Sequence, residues 1–249
     1  MRAALVDTSR WQGTLDAAAI KAAGFCGIVS RCTVGWGGSN QPDPFYLGTQ
    51  AGALEQGMIF GAYHLICPVN RNPKREAEAF LRHVGQAHLY VLDAELRQGV
   101  DPHEVIDQCW TWLQAVEQLS GKRPIVYTGS WFWDGASYVG AATPAGWEKD
   151  YDLWEAEYTL QLPRGGVETS QAPSGNPGDL SDGFVGWKFW QWTSSGRPYG
   201  VQSQSLDFDV FNGTEEELRA YLGMGPKPLT LEERVLALET EGRARGWNV

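Results

Sequence analysis

His88-Leu89-Tyr90-Val91-Leu92-Asp93-Ala94-Glu95 is an apolar run closed by two carboxylates, and from Pro102 to Ser120 a helical pattern follows it. Asp101-Pro102 supplies the start signal of that helix and Ser120-Gly121 its stop. This strand-then-helix unit recurs. Strand-like runs lie at Ala4 to Asp7, Gly27 to Thr33, Ile59 to Leu65, Leu89 to Glu95, Pro124 to Thr128, Asp152 to Tyr158, Trp187 to Thr193 and Leu206 to Phe211. Helical patterns at Leu15 to Ala23, Pro44 to Gln56, Asn72 to Val84 and Pro102 to Ser120 separate the early runs. Such repetition predicts parallel strands with helices outside, and eight runs predict a single TIM-like α/β barrel.

The last third breaks the pattern. Pro163-Arg164-Gly165-Gly166 through Gly175-Asn176-Pro177-Gly178 and then Ser194 to Gly200 are too rich in breakers for helices, so the last three strands are expected to lack helical cover. Alternation then puts Trp154, Ala156 and Tyr158 on one face of the sixth run, with Glu155 and Glu157 on an opposite, solvated face. Residues 1–222 read as one barrel domain. Residues 223–249 read as a linker around Pro226 and Pro228, then a short C-terminal helix with Thr230 as N-cap and an apolar stripe at Leu231, Val235 and Leu238. A helix this short is expected to pack on the barrel, self-associate with a second copy, or precede a further module.

Composition narrows the classes. The 249 residues carry a net charge of −10, with no concentrated basic surface for a nucleic-acid partner. No run is long and apolar enough to span a bilayer. The N-terminus enters a strand without a signal-peptide pattern, so synthesis in the cytoplasm is expected. Cys26, Cys32, Cys67 and Cys109 lack zinc-site spacing and read as reduced thiols. Twelve tryptophans suit either a large core or platforms for the apolar faces of sugar rings.

Asp93 and Glu95 are two residues apart, so an extended chain points both side chains the same way, about 6 to 7 Å apart along the backbone. Paired carboxyls of that kind suit glycoside hydrolysis, one protonated and one ionised; a strand running into an acidic turn has the same sequence. Asp7 ends the first run, and Asp207 with Asp209 lies in the last. A closing barrel makes those strands neighbours, so Asp7 and Asp207 are expected to meet across the seam and face the pair at the mouth where parallel strands end. The same four acids suit a divalent metal. Metal sites of that type usually add histidines, and only His64 lies near the mouth, so no metal and no cofactor is expected.

Seven ordered motifs carry a resemblance. Val6-Asp7-Thr8-Ser9-Arg10-Trp11-Gln12-Gly13, Gly61-Ala62-Tyr63-His64, Val91-Leu92-Asp93-Ala94-Glu95, Ile125-Val126-Tyr127-Thr128-Gly129, Leu153-Trp154-Glu155-Ala156-Glu157-Tyr158, Phe189-Trp190-Gln191-Trp192-Thr193 and Leu206-Asp207-Phe208-Asp209-Val210-Phe211 resemble those of glycoside hydrolase family 25. These are the Chalaropsis-type lysozymes, N-acetylmuramidases common among phage endolysins. The resemblance implies a (β/α)5β3 barrel and cleavage of the β-1,4 bond between N-acetylmuramic acid and N-acetylglucosamine in the glycan chain of peptidoglycan. It implies Glu95 as general acid and base, Asp93 as partner carboxylate, and Asp7 and Asp207 as the rest of the acidic floor. Tyr63, Tyr127, Trp154 and Trp190 are the sugar-binding side chains it implies. A barrel that binds peptidoglycan without cleaving it, or cleaves another N-acetyl sugar polymer, fits the same motifs. A lytic enzyme made without a signal peptide is expected to reach the wall only after the membrane is permeabilised.

Overall fold

The computed structural model describes residues 1–36, 41–160 and 162–226. The expected C-terminal helix and its self-association therefore lie outside the described residues. Strand β1 (Ala4–Thr8) pairs in parallel with β2 (Gly27–Val34), where Gly27 admits a close approach: a Cβ there would meet Leu5 Cδ2 at 2.9 Å. The parallel ladder continues through β4 (Ile59–Leu65), β5 (Leu89–Asp93), β6 (Ile125–Thr128), β7 (Leu153–Ala156) and β8 (Trp187–Gly196). Strand β9 (Leu206–Phe211) runs antiparallel to both β8 and β1 and closes an eight-stranded barrel. The two-residue β3 (Gln41–Pro42) hangs on the free length of β2.

Helices α1 (Ala17–Ala22), α2 (Tyr46–Glu55), α3 (Pro73–His83), α4 (Pro102–Ser120) and the one-turn α5 (Ser130–Trp133) follow β1, β3, β4, β5 and β6 in turn. No α-helix is described between β7 and β8 or between β8 and β9. The longest helix shows why these sites were readable. Asp101 caps α4 through His103 N, Pro102 occupies its first turn, and Gly121 ends it at φ 71°. Its buried face, Val105, Cys109, Trp112 and Val116, repeats at helical spacing. Helix α6 (Glu215–Tyr221) has a capping box from Thr214 to Glu217 and sends Leu218 into the barrel's closed end. No described helix is long and apolar enough to cross a membrane.

Strand alternation divides the apolar residues into two layers. Inside the barrel lie Leu5, Val29, Ile59, Leu89, Val91, Ile125, Trp154, Phe189 and Phe211. Between barrel and outer cover lie residues such as Val6, Ile28, Phe60, Leu92, Val126, Trp190 and Val210. Each inward file is apolar deep in the barrel and turns polar two residues on: Leu5 to Asp7, Val29 to Arg31, Val91 to Asp93, Ile125 to Tyr127 and Phe189 to Gln191. That switch builds the site.

Two expectations are corrected here. The antiparallel β9 brings its N-terminal end, not its C-terminal end, to the mouth, and this is how Asp207 arrives opposite Asp7. Glu155 is not solvated. It is fully buried and accepts from Ser130 N at 2.9 Å and from Ser181 N and Oγ at 2.9 and 3.0 Å. The first residue of α5 supplies the Ser130 donor, and the irregular chain between β7 and β8 supplies the Ser181 donors in place of a covering helix. Burial still pushes the Glu155 carboxyl up to about 7. Glu157 is half-buried and receives Gly178 N.

Candidate active site

The tripeptide Asp93-Ala94-Glu95 is pinned from both sides. Ile66 N donates to Asp93 O at 3.1 Å and Ala94 N to Tyr127 O at 2.9 Å. Thr128 Oγ1 donates to Ala94 O at 2.8 Å. These bonds restrain the backbone of Asp93 and Ala94, where the chain leaves β5, without using the carboxyl oxygens. Asp93 and Glu95 line a cleft of about 270 Å³ with Asp7, Asp207, Arg31, Tyr63, Tyr127, Trp154, Tyr158 and Gln191.

Asp7 stands directly opposite Asp207 in the β1–β9 ladder. Gln191 Nε2 donates to Asp7 Oδ2 at 2.5 Å, and Gln191 Oε1 accepts the hydroxyls of Tyr127 and Tyr158, each at 2.8 Å. With its oxygen taken twice, the amide can only turn its nitrogen toward Asp7. Trp154 lies in the floor with its ring edge-on to Tyr127 at 5.3 Å between centroids, and its indole N–H donates to Asp209.

Burial raises every carboxyl here, because a dry, crowded cleft disfavours charge. Asp93 is held well above the ordinary range by burial, then by the charges of Glu95 and Asp7. Glu95 is raised by burial, with Arg31 opposing. Asp7 is pushed up to about 7, its bond from Gln191 resisting the rise. Asp207 is raised by burial and by Asp7 and Glu95. Against these acids Arg31 is the one Lys or Arg among the described cleft-lining residues. Asp43 anchors it through Nε and Nη2 at 3.0 and 2.8 Å. Asp93 Oδ1 is buried, and no group among the described residues donates a hydrogen bond to it.

Of the residues singled out in the sequence, Asp7, Asp93, Glu95, Asp207, Tyr63, Tyr127 and Trp154 line one cleft. Trp190 does not. It is 1 % exposed in the outer layer, donating to Glu157 O at 2.8 Å and packed edge-on against Trp187. Its neighbour Gln191 takes the inward position, because adjacent strand residues face opposite ways. Arg31, Tyr158 and Gln191 are cleft residues that the sequence reading missed. An arginine inside the apolar run Ile28-Val29-Ser30-Arg31-Cys32 was a readable signal, since a strand-centre cation needs a buried partner. His64 is a fully buried packing residue between Thr33 Oγ1 and Glu76 Oε2, both at 2.8 Å, and stacked on Trp112. Among the described residues no group of His, Cys, Asp and Glu is arranged to hold a metal ion.

A closed α/β barrel whose mouth gathers several carboxyls among aromatic side chains suits glycoside hydrolysis. The family model for glycosyl hydrolases family 25 matches residues 6–201, and the chain belongs to that family. YegX of Escherichia coli O157:H7 is 30% identical over 222 residues, which span 87% of this chain and 72% of YegX. Lysozyme M1 of Streptomyces globisporus is 27% identical over 229 residues, covering 86% of this chain and 69% of the lysozyme. The fold is shared with the bacterial lysozyme from Streptomyces coelicolor, at 23% identity and a TM-score of 0.73 over 88% of this chain and 96% of that one.

Proposed function

We propose that this chain is a muramidase that cleaves the β-1,4 bond between N-acetylmuramic acid and N-acetylglucosamine in peptidoglycan. The observation that carries the reading is that Asp93, at the end of β5, and Glu95, two residues beyond it, line the same cleft as Asp7 and Asp207. Family membership supports the same substrate class.

In this reading Glu95, raised by burial, keeps the proton it gives to the glycosidic oxygen as the bond to C1 breaks. The carbonyl oxygen of the substrate's own 2-acetamido group attacks C1 and forms an oxazolinium ring. Asp93 orients that group. Its Oδ1, buried without a donor, is a ready acceptor for the acetamido N–H. Glu95 then takes a proton from the water that opens the ring at C1, and the configuration is retained. Asp7 and Asp207 complete a floor that favours the positive charge developing on the sugar. Tyr63, Tyr127 and Trp154 border the sugar.

We further read the barrel as (β/α)5β3 and residues 1–222 as its catalytic domain. The cell wall is the place of action in this reading.

The test incubates the protein and Glu95→Gln with purified peptidoglycan, reduces the products with borohydride and identifies the new ends by mass spectrometry. Muramitol ends from the parent, with at least a hundredfold fewer from the variant, are expected. Glucosaminitol ends would move the scissile bond, and binding without new ends from either protein would leave a binding module. A fluoro-sugar adduct trapped on Asp93 would replace the substrate-assisted route by direct nucleophilic attack.

A further inference from the structure

Asp209 has no part in the reaction drawn above, yet it is a fully buried carboxyl one layer below the cleft. Across the β1–β9 ladder it stands opposite Leu5, and across β8–β9 opposite Gln191. One N–H reaches it, from Trp154 Nε1 to Oδ1 at 3.1 Å. Oδ2 is buried and receives no N–H or hydroxyl from any other described side chain. Asp7, two positions along β1 from Leu5 and on the same inward face, is the carboxyl diagonal to Asp209 across that ladder.

Two carboxyls that are diagonal neighbours on one buried face repel when both are ionised, and a hydrogen bond between them needs a proton on one. The other partners decide which. Asp7 Oδ2 already receives Gln191 Nε2, a donor that favours the ionised form, and Asp7 borders the open cleft. Asp209 lies deeper and has the single indole donor. The charged groups around the pair are Asp207 on β9, Glu95 and Asp93 at the end of β5, and Arg31 on β2; β7 and β8 present the neutral Trp154 and Gln191.

We propose that Asp209 is a positioning residue that holds a proton on Oδ2 and donates it in a hydrogen bond to Asp7, fixing Asp7 as an oriented carboxylate beneath the cleft. Asp209 then acts as an amide would, and Trp154 fixes which of its oxygens carries the proton. The burial of a fourth aspartate behind the mouth costs little because that aspartate is neutral. The inference rests on Asp7 belonging to the working floor, as in the muramidase reading.

The test compares the parent with Asp209→Asn and Asp209→Ala, in infrared spectra near neutral pH and in pH–rate profiles on peptidoglycan. Asp209→Asn is expected to lose a protonated-carboxyl band and to keep the parent's rate within about threefold, with the acid limb of the profile unmoved. Asp209→Ala, lacking the donor, is expected to shift that limb to higher pH and to lower the rate below it about tenfold or more. An unchanged carboxyl band in Asp209→Asn, or an acid limb moved to lower pH, would mean that Asp209 is ionised and would overturn the proposal. An Asp209→Asn chain that fails to fold would overturn it too, because amide and protonated carboxyl match in shape and both donate. If the parent cleaves no peptidoglycan, the infrared comparison still decides the protonation of Asp209 and separates that failure from this one.

Discussion

Gln191 Nε2 meets Asp7 Oδ2 at 2.5 Å, joining β8 to β1 across the antiparallel β9 that separates them in the barrel wall. The orientation of that amide is set by the two tyrosine hydroxyls on its oxygen. Removal of the donor by Gln191→Ala raises Asp7 further from its position at about 7, since the bond from Gln191 is the largest of the contributions that resist burial there. The acid limb of the pH–rate profile should move upward and the rate below it should fall about 10- to 100-fold, the scale of a hydrogen bond to a charged group. An unshifted limb would show that Asp7 does not need its charge.

Arg31 is predicted to couple stability to the pH optimum. Arg31→Met strands the Asp43 carboxylate, which is buried and bonded to that guanidinium, and should cost about 3–5 kcal/mol in denaturant unfolding. The same change removes the cation that lowers Asp93 and Glu95, so Glu95 holds its proton to higher pH and the basic limb of the rate profile should rise. A basic limb that stays in place while stability falls would confine Arg31 to a structural role.

Glu155 makes stability fall as pH rises. Its folded carboxyl sits at about 7 against an ordinary value of 4.5, so the folded chain binds that proton more tightly than the unfolded one. The stabilisation is complete below the ordinary value and is lost as pH climbs through about 7. Glu155→Gln cannot titrate. The unfolding free energy of the variant relative to the parent should therefore rise by up to roughly 3 kcal/mol between mildly acidic and alkaline pH. Parallel curves across that window would refute the assignment.

Trp190→Phe should lower the melting temperature and leave turnover alone. The indole donates to Glu157 O inside the outer layer and borders no part of the cleft, so its loss should cost about 1–3 kcal/mol with kcat and KM unchanged. A raised KM with intact stability would return Trp190 to the sugar site.

The local signals were legible where the physics is local. Asp101-Pro102 and Gly121 bound α4 because caps and breakers act within one turn, and the β5 run is apolar from Leu89 to Leu92 because both its faces are buried there. Trp190 came from the motif resemblance, and alternation along β8 turns its neighbour Gln191 inward instead. Glu155 was misread because alternation says which residues share a face and says nothing about what covers that face. The cover over Glu155 comes from Ser130 and from Ser181, 26 residues away. The capping box at Thr214 was readable but unread, and it starts the helix whose Leu218 closes the barrel's lower end.

By itself the sequence determined the succession of strands and helices, the helix-poor last third, and the shared direction of Asp93 and Glu95, all of which follow from residue spacing along one chain. Only the tertiary structure decided that β9 runs backward, that Gln191 rather than Trp190 faces the cleft, that Arg31 stands among its acids, and that Asp209 is buried one layer below them. Those outcomes depend on barrel closure, which brings Asp7 within hydrogen-bonding reach of a residue 184 positions away, and no spacing rule reaches that far.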